Sequence, residues 1–459
     1  MTVARYLPFA ARLLIGLPFI ISGASKLAAY GATIALIEHP NSHRLRRWSM
    51  WTQLPSKSAV DCSSSQASLL ALALVTLLCG CASLGPRDPV PETLVAEARV
   101  PGIDHARWWG DEVPADVAAE IRRNLRGITR LAESPREKGR PVVNYLALSS
   151  GGDDGAFAAG VLVGWTRSGR RPRFEVVTGV SAGALIAPFA FLGPAYDNDL
   201  ESIWTGRAGA DLVTPQPLSV LLGGNALADS EPLAKLIAQY VNRRLLQAIA
   251  REYRGGRLLL VATTNLDAQR PVVWNMGEIA LSPGLEAVTL FRQVLLASVS
   301  IPVAFPPVRI QVEAGGMVRD ELHVDGGTTR KVFIAPLQIS LRSLEPFYSA
   351  PPQHRFYIIA NTKLAPEWKP AETDLLGIAQ SSLAAINKSH AAGDLFRLYL
   401  LATREGADFN LALIPSTFSV RPNRPFDPGY MAALFEAGLN PRRLAMAEAT
   451  TGARAVTTA

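Results

Sequence analysis

A serine enclosed by glycines is the first group in the sequence that could do chemistry. The pentapeptide GVSAG at 179–183 follows the β-branched run 176–178 and precedes an alanine-rich run. A strand that enters a G-x-S-x-G pentapeptide and a helix that leaves it form a nucleophile elbow, which presents the serine hydroxyl on a sharp turn. The sequence therefore predicts Ser181 as a nucleophile, with Gly179 and Gly183 permitting the turn and the approach of a substrate. The pentapeptide alone fits a tight turn with a capping serine equally well.

A serine hydroxyl needs a base, and a carboxylate has a better setting for this role than any histidine. Asp325 ends the apolar run LHVD at 322–325 and precedes a pair of glycines, an arrangement that also fits an ordinary turn. His354 and His390 follow Ser181 along the chain, as the Ser–His–Asp triad of an α/β-hydrolase would require. His354 precedes a predicted strand and His390 lies in helical sequence, so surface positions are expected for both. A Ser181–Asp325 dyad is the first interpretation, and a triad is the alternative.

A glycine-rich loop supplies the third part of a candidate active site. The segment SSGGDDG at 149–155 follows the buried-strand run VVNYLAL at 142–148. Acyl transfer needs two or three backbone N–H donors for the tetrahedral oxyanion, and glycines let such donors converge. Gly151, Gly152, Asp153 and Gly155 are therefore the candidate oxyanion hole. The loop lacks G-x-x-x-x-G-K-[ST], and its two aspartates would repel a nucleotide phosphate.

The elements around these motifs predict an α/β fold. Two strand–loop–helix units within about fifty residues indicate a parallel sheet with right-handed crossovers. Ligands of such sheets bind beyond the carboxyl ends of the strands, where both loops lie. The first helix is predicted at 156–165 and the second strand at 174–178. Further on we expect strands at 257–264, 355–360 and 409–414, a helix at 285–298 and irregular structure at 301–307.

Three motifs in a fixed order resemble those of the patatin-like phospholipase family. They are the loop GGDDG at 151–155, the pentapeptide around Ser181, and Asp325 followed by Gly326 and Gly327. The stretch ASVSIP at 297–302, continuing to FPP at 305–307, is also similar to the family's segment ahead of the catalytic aspartate. The resemblance covers roughly residues 140–345. It implies a three-layer α/β/α sandwich with a mainly parallel central sheet, a dyad without histidine, and hydrolysis of lipid acyl esters as a phospholipase A, lysophospholipase or lipid esterase.

The glycine loop departs from the family pattern in its charge. The family usually carries Arg or Lys just before the last glycine, whereas this chain has Asp154, preceded by Asp153. The missing positive charge keeps open a second class of function, a catalytically weak surface lipoprotein that binds lipid.

Charge and cysteine placement exclude several other classes. Residues 1–81 carry seven basic and two acidic side chains, so they hold +5 of the net charge of +7. Because no basic stripe with interleaved aromatics follows, no nucleic-acid partner is predicted. All three cysteines lie at 62–81, which excludes disulfides and cysteine catalysis in the body. With no H-E-x-x-H and no EF-hand pattern, neither a metal nor another cofactor is predicted.

The N-terminal part of the chain resembles a membrane-targeting signal. The apolar run ASLLALALVTLL at 67–78 leads into LCGCAS, which is similar to a bacterial lipoprotein signal with Cys81 as the acylated residue. A lipid-anchored protein of the bacterial cell envelope, at the outer membrane, is therefore expected. Residues 1–40 resemble the start of a DoxX-type membrane protein. They are either a membrane segment or the product of a neighbouring reading frame, and the second interpretation is favoured.

These observations predict the following organisation, with the oligomeric state and the lipid head group left open. The successive parts are an apolar N-terminal segment at 1–60, a signal peptide at 61–81, a tether with one packing helix near 114–132 at 82–140, the patatin-like catalytic domain at 141–345, the C-terminal part of the same body at 346–440, and a frayed tail at 441–459.

Overall fold

The computed structural model describes residues 87–439 apart from 113–135, 138, 206–213, 216–225, 227, 335–339 and 369. The chain divides into two units, residues 1–71 and 72–459, and the described residues belong to the second. The predictions for the N-terminal segment, the signal peptide with Cys81, the helix near 114–132 and the tail at 441–459 lie outside the described residues. Within the described ranges, no helix combines the length and apolarity that crossing a bilayer requires.

The strands of the described residues include every predicted strand, within two residues at each end, and several that were not predicted. They are β1 (Arg107–Trp109), β2 (Arg136–Glu137), β3 (Arg140–Leu148), β4 (Val176–Val180), β5 (Thr214–Pro215), β6 (Ala228–Asp229), β7 (Leu258–Asn265), β8 (Arg270–Asn275), β9 (Val308–Ala314), β10 (Met317–Asp325), β11 (Gln353–Ala360) and β12 (Asp408–Leu413).

The α-helices lie mostly between consecutive strands. They are α1 (Gly155–Arg167), α2 (Ala182–Leu192), α3 (Asp197–Trp204), α4 (Glu231–Tyr240), α5 (Arg243–Arg254), α6 (Met276–Leu281), α7 (Leu285–Val299), α8 (Leu375–Glu405) and α9 (Pro428–Leu439). Short 3₁₀ turns at Gly152–Asp154 and Gly326–Thr328 follow β3 and β10.

The centre of the main sheet is parallel. The strands β7, β4, β3, β11 and β12 lie side by side in that order, and each runs parallel to its neighbours. β8 and then β1 extend the sheet antiparallel beyond β7. β10 also pairs antiparallel with β7, and β9 pairs with β10 as a hairpin. A parallel pair needs a crossover, and α1, α2 and α8 provide crossovers within this centre.

Two hydrophobic cores cover the two faces of the sheet. Since side chains alternate along a strand, neighbouring residues of β3 face opposite cores: Leu146 lies in the first and Tyr145 in the second. The first core takes its helical residues from α1–α7 and α9, and the second takes them from α8. The predicted three-layer α/β/α fold with a mainly parallel sheet is therefore confirmed.

Glycines bring α9 close to α1, the helix that begins at the glycine loop. A Cβ on Gly160 or Gly164 of α1 would lie less than 3.0 Å from the backbone of Phe435 or Leu439 in α9. The small residues of α1 therefore let the C-terminal helix pack directly against the helix that carries the loop.

The strand that leads into the elbow is displaced from its predicted position. The strand predicted at 174–178 runs instead from Val176 to Val180, since Gly179 and Val180 pair with Val261 and Ala262 of β7. Gly179 is therefore the fourth residue of a strand, and the turn begins only at Ser181.

Candidate active site

Ser181 lies where two strands meet end to end along one edge of β7. β4 pairs with β7 as far as Val180, opposite Ala262, and β10 pairs with the next residues, so that Asp325 lies opposite Thr263. The two strands run in opposite directions, and both end at this point. The first residue after β4 is Ser181 and the last residue of β10 is Asp325. Strand pairing alone thus brings together two residues that are 144 positions apart.

The two side chains form a direct hydrogen bond. Ser181 Oγ donates to Asp325 Oδ2 at 2.6 Å. The other carboxylate oxygen, Oδ1, accepts the N–H of Gly327 at 2.6 Å. Ser181 and Asp325 are 3% and 6% exposed, so bulk water hardly competes with this contact. One oxygen of Asp325 is therefore held by the backbone while the other faces the serine proton.

The environment makes Asp325 a better base than an ordinary aspartate. Burial raises its pKa to about 6, against the opposing effects of the hydrogen bonds from Ser181 and Gly327 and of the nearby Lys331 charge. A higher pKa gives the carboxylate a greater affinity for the serine proton. Neutral pH lies above this pKa, so the carboxylate is still mostly ionised there.

The turn at Ser181 is strained, and a buried hydroxyl supports it. Ser181 has φ 55° and ψ −122°, a conformation that costs a residue with a side chain about 1–3 kcal/mol. Its N–H donates to Ser298 Oγ at 2.9 Å, and that hydroxyl donates onward to the Ala262 carbonyl at 2.7 Å. Ser298 is fully buried at the end of α7. It therefore links the elbow to β7.

The glycines on either side of Ser181 are needed because there is no room for a side chain. The sequence analysis assigned them a different role, that of adopting the strained backbone of the turn. Neither Gly179 nor Gly183 has a positive φ. A Cβ on Gly179 would lie less than 3.0 Å from the backbone of Ala184, and a Cβ on Gly183 would be equally close to the carbonyls of Leu148 and Ser149. The two glycines thus let α2 begin directly against β4 and β3.

The glycines after Asp325 also lie where a side chain would be crowded by its neighbours. A Cβ on Gly326 would lie less than 3.0 Å from the Ala262 carbonyl of β7. A Cβ on Gly327 would stand 2.9 Å from Asp325 Oδ1 and 3.2 Å from Lys331 Nζ. A side chain at position 327 would therefore crowd the carboxylate oxygen of Asp325 and displace the lysine ammonium group.

Asn361, which follows β11, fixes the start of the glycine loop. Its side-chain N–H donates to the Ser149 carbonyl at 2.9 Å, and its backbone N–H donates to Ser149 Oγ at 2.8 Å. Its amide oxygen accepts the N–H of Ala158 in α1 at 3.2 Å. A Cβ on Gly151 would collide with Asn361, so the loop passes over this residue closely.

The N–H groups of the loop divide into two sets. The Asp154 N–H donates to the Gly151 carbonyl at 3.1 Å, and the Gly155 N–H donates to the carbonyls of Gly152 and Asp153. Gly155 is thereby committed to the turn, contrary to its predicted place among the oxyanion donors. Within the described residues, no backbone acceptor takes the N–H groups of Gly151, Gly152 and Asp153. These three are the candidate donors for an oxyanion.

The acidic pair of the loop is bound by the C-terminal part of the body. The Phe426 N–H donates to Asp153 Oδ2 at 3.3 Å, and the Tyr430 hydroxyl donates to Asp154 Oδ1 at 2.5 Å. Burial raises the pKa of both carboxyl groups, that of Asp154 to about 7. The aspartates therefore anchor α9 to the loop, and near neutral pH Asp154 is only partly charged.

The histidines of the triad alternative lie elsewhere. His354 is in β11 opposite Val143, and the strand registers place it about seven residues, or ~23 Å, before the level of Ser181. It is 6% exposed and its Nδ1 lies 3.0 Å from the Tyr145 hydroxyl, so the expected surface position is wrong. His390 is partly exposed on α8. No hydrogen bond of the described residues joins a histidine to the nucleophile or to its carboxylate.

Three supporting residues escaped the sequence prediction. Ser298 lies in the ASVSIP stretch, whose resemblance pointed to the segment but not to this hydroxyl. No sequence pattern indicated Asn361 or Lys331, because neither residue lies within one of the three motifs.

The arrangement can carry out acyl transfer. It combines a hydroxyl that donates to a carboxylate of raised pKa, three N–H groups on the adjacent loop, and the first turn of α2, whose N–H groups favour negative charge beside Ser181. These are the parts that nucleophilic attack on an ester carbonyl requires.

Comparison with known proteins points to the same class of enzyme. Residues 146–337 match the family model described as patatin-like phospholipase. This region contains the nucleophile, the glycine loop and the aspartate, but it is less than half of the chain. No curated protein matches the sequence significantly.

The solved structures that match this chain do so at low sequence identity and with low TM-scores. VipD from Legionella pneumophila is 13% identical, with 67% of this chain and 68% of that chain covered and a TM-score of 0.28. Human GIVD cytosolic phospholipase A2 is 11% identical, with 75% and 64% covered and a TM-score of 0.29. The type III effector ExoU is 14% identical, with 68% and 54% covered and a TM-score of 0.25. At these TM-scores no conclusion is drawn from the overlaps.

Removing the Ser298 hydroxyl should loosen the elbow. We expect Ser298→Ala to lower the free energy of unfolding by about 1–3 kcal/mol, because it leaves the buried Ser181 N–H without an acceptor. Ser300→Ala is the matched control. Its hydroxyl, two residues further along, donates only to the Leu296 carbonyl within α7. Chemical denaturation of both variants measures the difference, and equal losses would contradict the assigned role.

Proposed function

We propose that this patatin-like phospholipase domain, a lipid acyl-ester hydrolase, works through a Ser181–Asp325 dyad without histidine. The observation that carries the proposal is the 2.6 Å hydrogen bond from the buried Ser181 hydroxyl to the Asp325 carboxylate. The match of residues 146–337 to the phospholipase family supports lipid esters as the substrate class. Phospholipase A, lysophospholipase and lipid esterase activity all use this chemistry.

Acylation follows from the geometry of the dyad. Ser181 Oγ attacks the ester carbonyl carbon while its proton passes to Asp325 Oδ2. The carbonyl oxygen becomes an oxyanion, which accepts hydrogen bonds from the N–H groups of Gly151, Gly152 and Asp153. The tetrahedral intermediate collapses, the bond to the alkoxy oxygen breaks, and protonated Asp325 delivers its proton to the leaving alcohol.

Deacylation repeats these steps with water. Asp325, ionised again, accepts a proton from a water molecule that attacks the acyl-serine carbonyl. The second tetrahedral intermediate expels Ser181 Oγ, which takes the proton back, and the fatty acid leaves. The acyl group, one water and the serine proton are all accounted for, and no step calls for a metal or another cofactor.

The acidic pair gives little support to a non-catalytic lipid-binding protein. That alternative depended on two aspartate charges beside the oxyanion. Hydrogen bonds from Phe426 and Tyr430 hold the two carboxylates against the C-terminal part of the body, and burial raises their pKa. The charge that would oppose an oxyanion is thereby reduced.

The dyad can be tested with conservative variants. Ser181→Ala and Asp325→Asn should each lower kcat/KM for a lipid ester by roughly 10³-fold or more, and the double variant should be little worse than either, since the two residues act as a unit. Turnover of a fluorogenic acyl ester measures this, with circular dichroism to verify folding.

Two histidine variants provide the control for this test. His354→Gln and His390→Gln should keep near-normal turnover, because neither residue contacts the dyad in the described residues. Near-normal turnover by Asp325→Asn would refute the dyad. Loss of activity in a folded histidine variant would favour the triad.

We further propose that the body is tethered to a bacterial membrane through acylated Cys81. Support comes from the sequence alone, in the apolar run 67–78 and the LCGCAS junction. Cells that express the full chain and are fed a clickable palmitate analogue should label it, and Cys81→Ser should abolish the label. Cys79→Ser is the matched control and should leave it intact. Equal labelling of Cys81→Ser and the unaltered chain would exclude this anchor.

A further inference from the structure

The donor part of the glycine loop begins with two residues that have no side chain. Gly151 and Gly152 carry two of the three candidate oxyanion donors, and Gly152 has a φ of 59°. Glycine loses more conformational freedom on folding than any other residue, so contacts of neighbouring residues must hold these N–H groups in one direction. Asp153 and Asp154 follow directly, and their side chains are the first beyond the glycines that can anchor the turn.

The C-terminal part of the body binds both aspartates, and its contact with Asp154 is the shorter one. The Tyr430 hydroxyl donates to Asp154 Oδ1 at 2.5 Å, a length typical of a strong hydrogen bond from a hydroxyl to a carboxylate. The Phe426 N–H donates to Asp153 Oδ2 at 3.3 Å. Tyr430 therefore provides the main hold of α9 on the turn that carries the donors.

The peptide group between Gly151 and Gly152 passes the position of Asp154 on to a donor. The Asp154 N–H donates to the Gly151 carbonyl at 3.1 Å. Because a trans peptide group is planar, its C=O and its N–H point in opposite directions. The Gly152 N–H, which shares the plane of the Gly151 carbonyl, therefore points out of the turn. A shift of Asp154 would rotate this plane and turn the donor away from an oxyanion.

Tyr430 can hold Asp154 because its own position is fixed. Asp427, just before α9, accepts the N–H of Tyr430 at 3.1 Å. The tyrosine ring packs edge to face on Phe418, with the ring centroids 6.0 Å apart. The close packing of α9 on α1 then ties this helix to the one that begins at the loop.

The surroundings of Asp154 increase the value of this hydrogen bond. Burial raises the pKa of Asp154 to about 7 against the opposing effect of the Tyr430 hydroxyl. The charges of Asp153 and Glu367 raise this pKa further, and that of Lys363 lowers it. Without the hydroxyl, the half-buried carboxylate would gain free energy by turning towards water, and the turn would move with it.

We propose that Tyr430 is a positioning residue of the oxyanion hole, which acts through Asp154 to hold the N–H donors of the glycine loop in place. This inference rests on the proposed hydrolase function and adds to it a residue that no sequence motif indicates. Tyr430 lies outside residues 146–337, which match the phospholipase family model. Helix α9 is accordingly part of the active unit, and it docks on Asp154, the residue at which the loop departs from the family pattern.

The first test separates transition-state stabilisation from substrate binding. The full chain with Tyr430→Phe is assayed with a fluorogenic acyl ester. Its kcat should fall about tenfold or more while KM stays within about twofold, because the N–H donors bind the oxyanion only in the transition state. An unchanged kcat would overturn the inference.

Tyr399→Phe is the matched control. The Tyr399 ring also packs edge to face on a phenylalanine, Phe409, with the centroids 5.6 Å apart. Unlike that of Tyr430, its hydroxyl makes no hydrogen bond within the described part of the chain. The control should therefore leave kcat and KM unchanged, and a loss of kcat equal to that of Tyr430→Phe would remove the case for a specific role.

The second test determines whether Tyr430 acts through Asp154. Asp154→Ala removes the acceptor and should lower kcat as much as Tyr430→Phe, and the double variant should be little worse than either. Asp154→Asn keeps an oxygen that accepts the tyrosine proton, so it should retain most of the kcat that Asp154→Ala loses. Losses that multiply in the double variant would contradict the inference, and so would equal kcat values in Asp154→Ala and Asp154→Asn.

Hydrogen exchange separates this inference from the proposed function. Mass spectrometry of the full chain should show faster amide exchange at 149–155 in Tyr430→Phe than in the unaltered chain or in Tyr399→Phe, with the same circular dichroism. Equal exchange of this segment in all three would overturn the positioning role. If the unaltered chain hydrolyses no ester but the loop still exchanges faster in Tyr430→Phe, the hydrolase proposal fails while the hold of Tyr430 on the loop stands.

Discussion

The end-to-end meeting of β4 and β10 on β7 is the constraint on which the site depends. β7 offers one edge, β4 takes its first five residues and β10 takes its last three. Both strands must stop at the same point, and the residues that end them are Ser181 and Asp325. The carboxylate thus reaches the nucleophile through backbone pairing and without a long flexible loop. Pairing of this kind fixes the relative positions of two groups to the precision that proton transfer needs.

Burial follows from that meeting point and sets the chemistry. A carboxylate in the middle of a sheet loses water, which raises the pKa of Asp325 to about 6 and suits it to accept a proton. The same crowding forces glycine at 179, 183, 326 and 327, where any side chain would collide with backbone or with the dyad. It also requires a buried support for the strained Ser181, which Ser298 provides. Among the described residues, the N–H groups of Gly151, Gly152 and Asp153 have no backbone acceptor, which leaves them available to a negative charge.

Sequence patterns predicted the parts that are local and left out those that depend on distant segments. The elbow, the glycine loop and the aspartate turn carry short motifs, and the three-layer fold follows from alternating strands and helices. No local sequence pattern indicates the antiparallel pairing of β10 with β7, the hydrogen bond from the Ser181 N–H to Ser298 Oγ, or the contacts of Asn361 with Ser149. Each of these contacts joins segments that are far apart in the sequence. The sequence does not show what the acidic pair contacts, whereas the structure gives it hydrogen bonds from Phe426 and Tyr430. His354 was misplaced because its burial depends on Tyr145, more than two hundred residues away.

The most direct test of the dyad is the pH dependence of Ser181 labelling by a fluorophosphonate, with the adduct located by mass spectrometry. Asp325 activates the serine only when ionised, and its pKa is raised, so the labelling rate should fall as the pH drops through about 6. Asp325→Asn should label slowly at every pH. This pattern, with the adduct on Ser181, is the result the account predicts. Rapid labelling of Asp325→Asn with an unchanged pH profile would contradict it, because another group would then be taking the serine proton.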